Sequence, residues 1–120
     1  SEAEMIKLFR NSFLATKVSF CNELYKYCEK INVDYETVRN IAVMDNRIGE
    51  SHTKVPGHDN KFGFGGTCFP KDMNNLNYEM INSGLFPYII NASLKRNENI
   101  DRIEKDWEDD EGRAIIKNKK

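Results

Sequence analysis

From Glu2 to about Lys30 the apolar residues Met5, Leu8, Phe9, Phe13, Leu14, Val18, Cys21, Leu24, Tyr25, Cys28 and Ile31 recur at steps of three and four. That period gathers them on one side of a helix, and no proline or glycine interrupts the run, so it predicts one long amphipathic helix. Asp34 is placed to cap a second, shorter helix carrying Val38, Ile41, Ala42 and Met44, which must end before Gly49. From Gly49 to Gly66 the pattern breaks: five glycines, Pro56 and the polar residues Ser51, His52, Thr53, His58, Asp59 and Asn60 predict a long loop of the kind that carries function. Pro70 suits the first turn of a third helix with Met73, Leu76, Met80 and Ile81 on its apolar side and Gly84 to close it. Pro87 can open a fourth through Ile90, Leu94 and Ile100, its end left undefined by the polar stretch Arg96 to Asn99. The predicted fold is all-α: a long N-terminal helix packed with about three shorter ones and a glycine-rich loop.

A length of 120 residues suits one compact domain. Residues 1–103 are expected to form it, and 104–120 read as an acidic, then basic, tail or linker in which Trp107 is costly to expose and is a candidate anchor. Eighteen basic against nineteen acidic residues give a net charge of -1, so no overall field favours nucleic acid or a membrane surface. The apolar stretches fall far below the roughly 20 residues that cross a bilayer, and the first residues lack a secretory layout, so the cytoplasm is expected. Cys21, Cys28 and Cys68 are an odd number in different settings, which favours free thiols in a reducing compartment. Cys21 and Cys28, seven residues apart on one helix face, read as small core residues. His52 and His58 match no common zinc spacing, and no metal site is expected.

The densest chemistry lies in Gly63-Phe64-Gly65-Gly66-Thr67-Cys68-Phe69-Pro70-Lys71-Asp72. Glycines let backbone N–H groups approach an anion or a sugar, and a helix start adds unpaired N–H donors and partial positive charge. A thiol at that end is biased toward the nucleophilic thiolate, and Lys71 brings a cation near it. Asp72, four residues on, could project beside Cys68. From composition alone, an ordinary glycine turn with a half-buried cysteine and a capping aspartate explains the stretch equally well.

The same string, 63 to 72, resembles the active-site signature of the UDP-glucose and GDP-mannose dehydrogenase family. Lys7 to Val18 followed by Asn22-Glu23 is similar to the first helix of that family's central domain, and Asp45-Asn46-Arg47-Ile48-Gly49 resembles the motif before its substrate loop. These matches, in the family's order, cover most of residues 3 to 85. The resemblance implies a four-electron oxidation of a sugar C6 alcohol to a carboxylate, with NAD as the oxidant and Cys68 as the nucleophile that captures the intermediate aldehyde. It further implies that Lys7 and Asn11 stabilise oxyanion character and that Asp72 acts with Lys7 on water. Phe64, Gly65 and Phe69 would contact the nucleotide sugar, Arg47 would reach the substrate of a neighbouring subunit in a homodimer, and Lys71 would lie toward the cofactor. UDP-glucose, GDP-mannose and UDP-N-acetylmannosamine enzymes share the signature. The Arg47-Ile48-Gly49 and Cys68-Phe69-Pro70 stretches favour UDP-glucose.

No Gly-x-Gly-x-x-Gly turn follows a strand in this sequence, so a separate cofactor-binding domain or subunit is expected to hold NAD. Two classes of function remain at this point: a catalytic part that works only with such a domain, and a non-catalytic helical dimerisation or interaction module of the same descent.

Overall fold

The computed structural model describes residues 1–106 and Glu108. Trp107 and nearly all of the expected tail lie outside the described residues. Among the described residues there are four α-helices and one π-turn: α1 (Glu2–Lys30), α2 (Tyr35–Ala42), α3 (Cys68–Asn82), α4 (Tyr88–Arg96) and the π-turn Asn97–Asp101. The expected all-α fold is what forms. None of these helices is long and apolar enough to cross a membrane.

Local rules set most of the boundaries. Ser1 caps α1 through its hydroxyl, and Asp34 caps α2 by accepting from the Thr37 N–H at 3.0 Å. At the end of α3, Gly84 takes φ +91°, and the Leu85 and Gly84 amides donate back to the Met80 and Ile81 carbonyls at 2.9 and 3.0 Å. A left-handed residue is needed for that closure, which is why glycine sits there. The third helix starts at Cys68, two residues ahead of Pro70, so the proline still falls within the first turn where its missing N–H costs nothing. Beyond Arg96 the chain does not stop but widens into a π-turn, closed by the Arg102 N–H on the Asn97 carbonyl at 2.7 Å.

The inward side of α1 follows its apolar pattern only in part: Cys21 and Cys28 turn inward with Leu8, but small residues make up much of the rest. Leu8, Ser12, Ala15, Ser19 and Asn22 are buried, whereas Met5, Phe9, Phe13, Phe20 and Tyr27 are half to two-thirds exposed. Small residues let α3 and α4 approach closely, and the Ser19 hydroxyl donates to the Ser93 carbonyl across the α1–α4 contact at 3.3 Å. In α2 the expected apolar side faces outward. Tyr35 and Arg39 are buried, and Val38 and Ile41 face out, as does Met44 just past the helix end.

Two apolar clusters form the core. Ala15, Phe64, Met73 and Leu94 join α1, α3, α4 and the glycine loop, while Cys21, Cys28, Tyr35 and Val55 join α1, α2 and the middle of the long loop. Cys21 and Cys28 thus occupy the core positions expected of them. Thr53 pins the loop to α2: its carbonyl accepts from the Tyr35 hydroxyl at 2.6 Å and its hydroxyl from the Arg39 guanidinium at 3.1 Å.

Candidate active site

The chain between Gly49 and Gly66 has few backbone partners of its own, and its buried peptide groups must be satisfied from elsewhere. Besides Tyr35 at Thr53, three distant side chains do this at the glycine-rich end. Asn22 of α1 accepts from the Gly63 N–H at 3.0 Å. Asn97, at the head of the π-turn, accepts from the Phe64 N–H at 2.8 Å and donates to the Phe64 carbonyl at 2.9 Å. Arg102 donates through Nε to the Phe62 carbonyl at 2.8 Å and through Nη2 to the Gly63 carbonyl at 3.3 Å. Its guanidinium is neutralised by Asp59 at 2.8 Å and Asp106 at 3.3 Å, and the side chain is 1 % exposed.

This anchoring changes the meaning of two glycines. A Cβ on Gly63 would collide with Asn97 Oδ1 and Asp101, and one on Gly65 with the Arg102 guanidinium. At both positions the space a side chain would need is taken by the chain's own side chains. Gly66 is different: its φ of +74° requires glycine, and the space its Cβ would enter is open.

Beyond the loop lies a cavity of about 760 Å³ lined by Gly63 to Phe69, by Glu50, His52, Lys54, His58, Asp59 and Lys61, and by Arg102 and Asp106. Its volume is that of a site for a small organic ligand. Cys68, the first residue of α3, is exposed and lines it. Phe69 stands between Phe64, with ring centroids 6.4 Å apart, and His52, at 5.7 Å. Burial, reinforced by the charges of Lys17 and His58, holds the His52 imidazole below its ordinary pKa, so that ring is mainly neutral at pH 7.

One turn along α3 from Cys68, the buried Asp72 accepts a hydrogen bond from Asn11 Nδ2 of α1 at 2.7 Å. This polar contact bridges the two helices. Among the residues singled out by sequence, the cavity wall thus collects Phe64, Gly65, Cys68 and Phe69, and the α1–α3 seam collects Asn11 and Asp72. The others stand apart. Lys7 is exposed one turn before Asn11, Lys71 is exposed on α3, and Arg47 is exposed and paired with Asp45 at 2.7 Å. Asn97 and Arg102 were given no role by sequence, because a buried polar partner has no periodicity that marks it.

The glycine cluster is not the strand-to-helix turn that holds a dinucleotide pyrophosphate. The described residues contain no strand to precede the glycine cluster, and the places bared by Gly63 and Gly65 are already filled by side chains. No three His, Cys, Asp or Glu side chains gather among the described residues as a metal site would require.

Residues 1–99 match the model of the UDP-glucose/GDP-mannose dehydrogenase family, central domain, and the chain belongs to that family. It is similar to UDP-glucose 6-dehydrogenase TuaD of Bacillus subtilis, 40 % identical over 97 residues that make up 80 % of this chain and 20 % of the relative. UDP-glucose 6-dehydrogenase YwqF of the same species is 49 % identical over 74 residues, 62 % of this chain and 16 % of the relative. The UDP-glucose 6-dehydrogenase of Rickettsia bellii is 40 % identical over 96 residues, 80 % of this chain and 21 % of the relative. The chain spans about a fifth of the length of these relatives.

Proposed function

We propose that this central domain supplies the substrate-capturing part of a nucleotide-sugar dehydrogenase that oxidises UDP-glucose to UDP-glucuronate, with Cys68 as nucleophile. The observation that carries the proposal is the placing of an exposed thiol at the start of α3, on the wall of a ligand-sized cavity. The 2.7 Å Asn11–Asp72 bond one turn further along supports it. NAD, bound by a separate cofactor-binding domain, would supply the hydride acceptor for both oxidations. The sulfur of Cys68 adds to the C6 aldehyde, forming a C–S bond and a hemithioacetal alkoxide. Loss of hydride from that carbon leaves a thioester, and water then displaces the thiol to give the carboxylate. Covalent capture keeps the aldehyde from escaping. Asn11 Nδ2 has a second N–H that its bond to Asp72 leaves free to meet oxyanion charge, and Asp72 would orient water, a role that the family resemblance implies it shares with Lys7. A reconstitution tests this. The chain, supplied with a cofactor-binding domain from a relative, should form NADH on addition of UDP-glucose, and Cys68→Ser should abolish it. Undiminished NADH formation by the Cys68→Ser chain would refute the role of the thiol.

A second reading concerns assembly. The outward residues Met5, Phe9, Phe13, Phe20 and Tyr27 form a stripe along α1 that no element among the described residues covers. An apolar stripe of that length on one helix suits a homodimer packed through α1, in which Arg47 can face the neighbouring subunit's substrate. The helical-module class of function would use the same contact with a silent thiol. The reconstitution separates the two.

A further inference from the structure

Helix α3 is weakly fixed at the end that matters most. Thr67, its N-cap, makes no side-chain capping bond, and the first backbone bond of the helix, from the Lys71 N–H to the Thr67 carbonyl, is long at 3.4 Å. The position of Cys68 is therefore set less by its own helix than by the backbone that leads into it. That backbone is gripped from the far end of the molecule. We propose that Arg102 is a positioning residue for Cys68, its guanidinium fixing the backbone from Phe62 to Gly65 and so holding the start of α3 against the cavity. The proposal rests on the reading of Cys68 as the reacting atom.

Only a planar fork can do what Arg102 does. Nε and Nη2 reach the Phe62 and Gly63 carbonyls, while Nη2 and Nη1 engage Asp59 and Asp106. A lysine ammonium is a single point of charge and can meet only part of that set. The flat guanidinium also packs where Gly65 lacks a side chain, an interlock that a rounder group would lose. The π-turn is what brings Arg102 there. Its wider turn closes on the Asn97 carbonyl, and Asn97 and Arg102 then address successive peptide groups of one loop. Phe64 remains anchored by the apolar core and by Asn97, so loss of Arg102 should loosen the loop without unfolding the domain.

Alkylation of the full chain by iodoacetamide, read cysteine by cysteine through mass spectrometry, tests this. Cys21 and Cys28 are buried and report any general loss of structure within the same sample. In Arg102→Ala and Arg102→Lys the expected result is alkylation of Cys68 slowed by roughly three- to tenfold, with Cys21 and Cys28 still protected, the size following from lost hydrogen bonds to a charged group. Millimolar guanidinium should restore the Cys68 rate in Arg102→Ala, and methylammonium should not. Unchanged or faster Cys68 alkylation in both variants would overturn the proposal. So would exposure of Cys21 and Cys28 in both, since Arg102 would then support the whole fold. If only Arg102→Ala exposes them, Arg102→Lys decides. Failure of the underlying reading shows separately, as a Cys68→Ser chain that remains active in the reconstitution.

Discussion

Replacing Asn97 by alanine removes both partners of the Phe64 peptide at once. Asn97 is 1 % exposed, and its amide supplies an acceptor at 2.8 Å and a donor at 2.9 Å to one buried residue. Each buried group left unpaired costs about 1–3 kcal/mol. Some of this is offset if water enters the space vacated beside Gly63, so the expected loss is about 2–4 kcal/mol. Against a total stability of roughly 5–15 kcal/mol for a domain, that is a large fraction. Urea unfolding followed by far-ultraviolet circular dichroism measures it, and a loss below about 1 kcal/mol would refute the role assigned to the amide.

Asn97→Asp sharpens the test through its sign. The introduced carboxylate can still accept from the Phe64 N–H, but its other oxygen faces the Phe64 carbonyl, and Asp101 lies nearby across Gly63. Only the protonated acid can donate there. The folded state therefore binds the proton more tightly than the unfolded chain, and stability must fall as pH rises above the ordinary Asp value of about 3.9. The gap between Asn97→Asp and the parent should be widest at neutral pH and close on acidification. A gap independent of pH would show that the donor half of the contact is idle.

Asp101, whose side chain is inaccessible to solvent, is held above the usual carboxylate range by burial, against the lowering effect of Arg96. Its charging opposes folding as pH rises past about 4, so Asp101→Asn should gain stability relative to the parent over that rise in a urea series. Phe13→Glu, on the outward stripe of α1, should leave the unfolding of the single chain nearly unchanged and convert a dimer to a monomer in sedimentation at micromolar concentration. A monomeric parent would remove the basis for placing Arg47 at a neighbour's site. In the parent chain Cys68 should be alkylated well ahead of Cys21 and Cys28, because only it is exposed, and equal rates would contradict the fold around the first helix.

What could be read in the sequence was governed by neighbours along the chain. The cap at Asp34, the closure at Gly84 and the uninterrupted helix to Lys30 each depend on a few adjacent residues, and the structure places all three as expected. The facing of α1 was not legible in the same way. An apolar period fixes a stripe but not what covers it, and here Ser12, Ala15 and Ser19 turn inward because close helix packing favours small groups, leaving Met5, Phe9 and Phe13 outside. The glycine loop shows the same division. Its resemblance to a family signature singled out Cys68, whereas nothing in the spacing showed that Gly63 and Gly65 also make room for Asn97 and Arg102. Backbone without regular hydrogen bonds must find donors and acceptors elsewhere once it is buried. A long loop that ends on a core phenylalanine therefore demands distant amides and a guanidinium, although sequence spacing cannot say which. Asn22, Asn97 and Arg102 answer that demand from positions 41, 33 and 39 or 40 residues away. The exposed thiol at the head of this weakly capped helix follows backbone that Arg102 grips from just beyond the π-turn, so substitutions there should be felt at Cys68 before they are felt in the fold.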